Sequence, residues 1–574
     1  VSNLVNIYYP LRLFFFLAWN SAHAFDWYFI LRFFIAGLGM FFYLRIIGLR
    51  RIVALWGGIA YAFTGYFILY LTYSFLDIDS LLPWTLFSIE QYFQKKRIRC
   101  AALIGFFLAM TIVIGQPQST IIAILFAGLY FVWKSILANK TRKEQFSVIR
   151  HSLFVILIAL LIASPFIADF LTFASEATTI SAWQSKGLLT FQPIQILHFL
   201  VTPTMMPEVA ASGHLFDSYE IIIPYIGISV LILFLLSFFI KKKPPQLAPF
   251  YIWIAFVILK NAGFPLVQWL GKLPILSQIG WYKAYGPMAG AMVICAAIAF
   301  EHILHERESS GAINWRGFYK LIAAIPLLFI GAYIFFRSAF IGAYVPNFDF
   351  FSRHPEAIKK FTALLERLPA RIQEFALSIM QNHGGYFTVF LFTEAIIFAV
   401  ATLIIIRYLR HKSRYAALAM VVFTAFELFL YMPKIRDGFH YFDPYANTPP
   451  YVSFLQNQME QEGVSRTFSV GEVFLGHAGE LYNIQKSQNS SPLKPRRYFA
   501  YLPDEILREH ALTGVIAENK LSEVPRKFFN AFNIKYFLSE QPLSPVPWRQ
   551  LIYNNDIKIY ENKETLPKAY VVFQ

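Results

Sequence analysis

Apolar runs close to twenty residues long recur from one end of the chain to the other, "HSLFVILIALLIASPFIADF" at 151–170 being representative. A helix of that length crosses a hydrocarbon core of ~30 Å. Inside lipid only helices and closed barrels satisfy every backbone polar group. The 574 residues are 57% hydrophobic and only 15% charged, against roughly 25% charged in soluble domains. The expected fold class is therefore a polytopic α-helical membrane protein.

Twelve spans are predicted, at about 28–46, 52–74, 81–94, 100–114, 120–138, 151–171, 219–240, 247–260, 283–304, 318–340, 386–409 and 415–432. The third and eighth are short enough to be re-entrant or differently tilted. Basic clusters fall in every second connector: Arg45/Arg50/Arg51, "KKRIR" at 95–99, Lys134 to Arg150, "KKK" at 241–243, Arg307 to Lys320, and "RYLRHKSR" at 407–414. The connectors between them, "SFLDID" at 74–79 and "GQPQS" at 115–119, carry no Lys or Arg. One alternation places all the basic connectors in the cytoplasm. The net charge of +16 is thereby explained without nucleic acid. Cys100 and Cys295 lie inside apolar segments, so they predict neither a disulfide framework nor a metal site.

This alternation puts both ends of the chain outside the cytoplasm. Residues 1–432 form the multi-span domain, with outer loops at 172–218, 261–282 and 341–385; residues 433–574 form a less apolar, extracytoplasmic α/β domain. In the latter, "YVSFLQNQMEQEG" reads as a helix stopped by Gly463. "RTFSVG", "NIKYFLSE", "WRQLIYNNDIKIYE" and "KAYVVF" read as strands, with Asn554-Asn555-Asp556 as a hairpin turn. Residues 354–380 read as an amphipathic helix lying on the membrane. Val1 is not Met, no signal peptide precedes it, and "KAYVVFQ" stops inside a strand-like run, so both ends are expected to be trimmed. A missing first span would restore a cytoplasmic start, leaving "LRLFFFLAWN" at 11–20 as an interfacial segment.

The outer connectors gather the polar candidates. Asp77 and Asp79 are placed to take a proton from an acceptor hydroxyl, orient it, or hold a divalent cation. The competing reading has Asp79-Ser80 capping a helix that begins near Leu81, with Pro83 in its first turn, which accounts for one acid but not both. Gln116 and Gln118 either bond a sugar or only stabilise the Gly115-Gln116-Pro117-Gln118 turn. Glu220 opens a span, where the helix dipole favours an acid, or faces substrate. Lys283, beside Trp281, Tyr282 and Tyr285, is either a snorkelling aromatic-belt residue or a phosphate-binding cation. Glu90, Asp169, Glu394 and Glu427 are expected to pair inside the bundle. No P-loop, G-x-G-x-x-G, H-E-x-x-H or C-x-x-C is present, which argues against ATP-driven transport and nucleotide cofactors.

The ordered set "GGIAYAFTGY" (57–66), "LLPWTLFSIEQ" (81–91), "GQPQ" (115–118), "IQILHFLVTP" (194–203), "YEIIIPYIGI" (219–228), "AFNIKYFL" (531–538) and "IYENKETLPKAYVV" (559–572) resembles the YfhO-like bacterial membrane proteins. That family is similar to GT-C-type glycosyltransferases. The resemblance implies a multi-pass enzyme of the bacterial cytoplasmic membrane. Such an enzyme moves a sugar from a polyprenyl-phosphate donor to a cell-envelope polymer or glycolipid outside the cell. Taken with the clustering of polar residues in the outer connectors, it makes Asp77 or Asp79 the candidate base or acceptor-orienting group, Lys283 the candidate phosphate contact, and Gln116, Gln118, Glu220 and Tyr282 further candidate substrate contacts. Gly-His-Pro-Gln is usual where this chain has Gln116, and an Arg is expected near Lys283. The GT-C catalytic acid usually follows a first membrane helix, which puts it upstream of Val1. Two other classes fit the same outer charges: a transporter or flippase of lipid-linked precursors, and a non-catalytic envelope assembly partner.

Overall fold

The computed structural model describes residues 8–18, 23–71, 73–138, 141–179, 225–305, 312–322, 324, 397, 399–409, 415–437, 448–463, 465–471, 473, 479, 482–488, 493–495, 516 and 518–567. The first helices are α1 (Pro10–Ala18), α2 (His23–Ile46), α3 (Arg51–Ala62), α4 (Gly65–Leu69), α5 (Leu76–Lys95), α6 (Ile98–Val113), α7 (Pro117–Ala138) and α8 (Arg142–Glu176). From residue 225 onward the described helices are α9 (Ile228–Ser237), α10 (Ala248–Asn261), α11 (Pro265–Gln268), α12 (Tyr285–His305) and α13 (Ala416–Asp437). Among the described residues five helical stretches are long and apolar enough to cross a membrane: Trp27–Ile46, Arg51–Leu69, Pro117–Ala138, Glu144–Glu176 and Trp281–His305. A sixth is reached if Pro245–Asn261 and Pro265–Lys272 count as one broken span; four shorter apolar helices accompany them.

Three predicted spans change shape. The third is not a short 81–94 segment: α5 begins at Leu76 and runs for 20 residues, so its first turn contains both acids. The second breaks after Ala62 because the Gly65 N–H leaves the helical ladder and donates to the Tyr225 carbonyl at 2.6 Å. The eighth bends by 91° between Asn261 and Pro265, the form of a broken span or of a re-entrant loop. α8, predicted over 151–171, is 35 residues long, about 52 Å at 1.5 Å per residue. It therefore extends well beyond a hydrocarbon core. The predicted amphipathic helix at 354–380, Glu394, Glu220 and "KAYVVF" lie outside the described residues.

Lipid tails are as apolar as leucine, so helices in a bilayer associate through close packing rather than through water exclusion. Here α2 and α3 meet where a Cβ on Gly58 would stand 2.7 Å from the Gly37 carbonyl oxygen; any larger residue pushes the helices apart. α12 sits at the centre, with nearly all of its residues buried. Of the acids expected to pair inside the bundle, Glu90 accepts from Tyr130 and lies 2.8 Å from Lys134, and Glu427 accepts from Tyr225 and Ser229; Asp169 accepts from Tyr8 but is exposed.

Toward the C-terminus, a four-stranded sheet has the order β2 (Arg466–Val470), β4 (Ile534–Ser539), β6 (Lys558–Asn562), β5 (Arg549–Asn554). β2 and β4 run parallel, the other pairs antiparallel. α14 (Pro450–Glu462) ends at Gly463, φ 86°, a positive φ that glycine adopts without steric cost. Strand alternation sends Tyr536 and Leu538 of β4 toward Val452 and Leu455 of α14, while Phe537 meets Phe528 and Phe529 on the other face. A separate two-stranded ladder joins β1 (Ala177–Thr179), at the end of α8, to β3 (Leu493–Pro495).

Candidate functional site

α5 brings in both Asp77 and Asp79 on its first turn. Residues two apart on a helix point roughly 200° away from each other, so the two carboxylates take different partners. Asp77, 1% exposed, faces Arg32 of α2: Arg32 Nε donates to Oδ1 at 2.9 Å and Nη2 to Oδ2 at 3.4 Å. Arg32 Nη1 also donates to the carbonyls of Leu71 at 2.8 Å and Tyr73 at 3.2 Å. Its guanidinium lies 4.9 Å and 5.2 Å from the Tyr28 and Phe29 ring centroids. One buried cation thus ties the 71–73 connector to the start of α5.

Asp79 occupies the other side. Tyr66 of α4 donates its hydroxyl toward Asp79 Oδ2 at 3.2 Å and toward the Lys283 carbonyl at 3.3 Å. Tyr61 donates to the Asp79 backbone carbonyl at 2.7 Å. Asp79 therefore does not cap a helix at Leu81: the helix has already started, Phe75 is its N-cap residue, and the side chain serves Tyr66. Gly286 makes this contact fit, since a Cβ there would stand 2.7 Å from Asp79 Oδ1 and 2.5 Å from Tyr66 Cε1.

Lys283, 7% exposed, lies on the short 3-10 helix Trp281–Ala284 that leads into α12. Its ammonium stands 5.4 Å from the Phe75 ring centroid and 5.9 Å from that of Tyr282, within cation–π range. Tyr282, 8% exposed, lies 6.5 Å from Tyr70 ring to ring.

The "GQPQS" turn closes the same end of the bundle. Gly115 takes φ 75° after α6, the left-handed conformation that ends a helix without steric cost. Pro117 then occupies the first turn of α7, where a missing N–H costs nothing. Gln116, half-buried, donates to Ser74 Oγ at 2.7 Å. Gln118 donates to the Gln278 carbonyl at 2.7 Å and accepts from the Gly280 N–H at 3.5 Å. Both amides therefore stabilise the turn's contacts, one toward the connector before α5 and one toward the segment carrying Tyr282 and Lys283.

Asp77, Asp79, Gln116, Gln118, Tyr282 and Lys283, spread over more than 200 positions, are thus joined through side-chain and backbone contacts. Three members were not anticipated: Arg32, Tyr66 and Ser74. An Arg inside the 28–46 span was a legible signal, because a charge at that depth requires a partner. Tyr66 and Ser74 carried no such mark. Among the described residues no group of three or more His, Cys, Asp or Glu is assembled to hold a metal ion.

No protein-family model matches this chain. No curated protein matches it either. Among solved structures the chain is similar to ArnT from Cupriavidus metallidurans, crystallised bound to undecaprenyl phosphate, with a TM-score of 0.44 and 11% sequence identity over 97% of this chain and 87% of that one.

Proposed function

We propose that the chain is a membrane glycosyltransferase of GT-C type, moving a sugar from a polyprenyl-phosphate donor to an acceptor outside the cytoplasm. The observation that carries the reading is the junction of the basic-residue-free connectors with the segment that bears Lys283: Ser74 to Gln116, Gln118 to Gln278 and Gly280, Tyr66 to the Asp79 carboxylate and the Lys283 backbone carbonyl, and the Lys283 ammonium over Phe75. Lipid-linked sugar transfer needs a cation for the phosphate, a carboxylate for the acceptor proton, and amides for sugar hydroxyls. Lys283 is assigned to the phosphate, Asp79 to the acceptor hydroxyl, and Gln116 and Gln118 to the sugar. Asp77, held by Arg32, fixes the connector instead of reacting. Glu220 is kept as a sugar or acceptor contact from the sequence, and Tyr282 as an aromatic wall. Asp79 and Lys283 are buried, so the proposal requires the rings of Tyr70, Phe75 and Tyr282 to part as substrate arrives.

The resemblance to YfhO-like proteins supports the same reading and a cell-envelope acceptor. The charge alternation supports an outward-facing site in the bacterial cytoplasmic membrane, with 433–574 as an extracytoplasmic domain beside it. The test is transfer by the purified protein in lipid nanodiscs, from polyprenyl-phosphate sugars to envelope glycopolymer. Wild type is expected to transfer. Asp79→Asn and Lys283→Ala are each expected to lose about 100-fold or more, the scale of a lost base or charge stabiliser. Full activity in both variants, or inactivity of the wild type toward every donor tried, overturns the proposal.

A further inference from the structure

Glu427 lies in the middle of α13, 1% exposed, far along the chain from every residue of the candidate site. Its carboxylate is surrounded by donors. Tyr225 Oη and the Ile228 N–H both donate to Oε1. The Ser229 N–H donates to Oε2 at 3.2 Å and the Ser229 hydroxyl at 2.6 Å. Gly227, at φ 94°, turns the chain so that α9 opens with its first N–H groups aimed at the acid, where the helix dipole favours negative charge. Thr424, nearly one turn away, donates to Ser229 Oγ at 3.0 Å and accepts from Trp56 Nε1 at 2.9 Å. A carboxylate among apolar helices needs partners of this kind. That need explains its surroundings but not the next contact.

The Tyr225 carbonyl, on the residue whose hydroxyl Glu427 holds, accepts the Gly65 N–H at 2.6 Å. A Cβ on Gly65 would stand 2.7 Å from that oxygen and 3.1 Å from Tyr225 Cβ, so the two segments are locked at backbone distance. Gly65 opens α4, and the next residue, Tyr66, bridges Asp79 and the Lys283 carbonyl.

We infer that Glu427 is a positioning residue: through Tyr225 and Gly65 it fixes the hydroxyl of Tyr66 between the Asp79 carboxylate and the Lys283 backbone carbonyl. This inference rests on the transferase reading for its kinetic consequence, but the mechanical link stands on its own. Glu427 touches no substrate; it holds Tyr225, which sets the start of α4 and hence where Tyr66 points.

The experiment is a double-mutant cycle in the full chain in nanodiscs, with Glu427→Gln, Tyr66→Phe and the double variant. Glu427→Gln keeps the volume but turns an NH2 group toward backbone N–H donors. In the transfer assay, Glu427→Gln is expected to lower kcat about tenfold with donor KM changed less than about twofold. The double variant is expected to fall no further than the worse single variant, the mark of residues that act as one unit. Tyr225→Phe, which removes the hydroxyl and keeps the carbonyl, gives a milder form of the same loss where Glu427→Gln folds poorly. Multiplying kcat losses in the double variant overturn the inference. A wild type without transfer activity overturns the functional reading only. The same cycle read as melting temperature then decides the link, with non-additive shifts supporting it and additive shifts overturning it.

Discussion

Arg32 and Asp77, 45 residues apart, meet as a forked ion pair in which the two side chains are 2% and 1% exposed. Such a pair is expensive to break because the surviving charge stays buried. Asp77→Asn and Arg32→Ala are each expected to destabilise the protein by about 3–5 kcal/mol, while Arg32→Met combined with Asp77→Leu recovers most of that loss. Melting of the fluorescently tagged protein, followed by size-exclusion chromatography, measures it. A double variant as unstable as the singles contradicts the assignment.

Gly286→Ala is expected to separate Tyr66 from Asp79. Its Cβ would press on Asp79 Oδ1 at 2.7 Å and on the Tyr66 ring at 2.5 Å, and overpacking of this kind costs about 1–3 kcal/mol. Gly128→Ala, where a Cβ meets nothing within 4 Å, serves as control and is expected to be neutral or slightly stabilising. Transfer activity and melting temperature together check it: Gly286→Ala loses both, Gly128→Ala neither.

Gln116 and Gln118 are expected to differ from Asp79 in kinetic signature. Each amide contributes about 0.5–1.5 kcal/mol through its present hydrogen bonds. As sugar contacts they bind ground state and transition state alike, so Gln116→Ala and Gln118→Ala raise donor KM several-fold and leave kcat nearly unchanged. A drop in kcat with constant KM places them in the chemistry instead.

Lys486, bridged to Thr467 beside β2, gives a pH prediction away from the membrane helices. Burial lowers its pKa to about 8, against about 10.4 for a free lysine. Between those values the unfolded chain binds a proton that the folded chain does not. Stability therefore rises with pH across about 8 to 10.4 and is independent of this group below 8. Lys486→Met is expected to raise stability at pH 7, with the advantage shrinking by pH 10.5. Acylation mapped by mass spectrometry should show Lys486 titrating near pH 8, well before exposed lysines.

Hydropathy and turn chemistry made the helices of the first half legible, along with the Gly463 stop and the strands at 466–470, 534–539, 549–554 and 558–562. The start of α5 was hidden by its composition. Asp77 and Asp79 read as connector residues because acids are rare in lipid, and only Arg32 and Tyr66, brought from α2 and α4, make them affordable inside a helix. The break between α3 and α4 was equally hidden, since its cause is the carbonyl of Tyr225, 160 positions away. Local pattern reports periodicity; it does not report which distant backbone atom will claim an N–H.

The central claim is that the 64–79, 115–118 and 278–286 segments form one polyprenyl-phosphate site. Photo-crosslinking with a diazirine-bearing polyprenyl phosphate in nanodiscs, followed by peptide mapping, tests it most directly. The account predicts labels within those three segments, competed away by unlabelled polyprenyl phosphate and reduced by Lys283→Ala. Labels confined to the lipid-facing surface of α8, unchanged by competitor or by the Lys283 variant, contradict it.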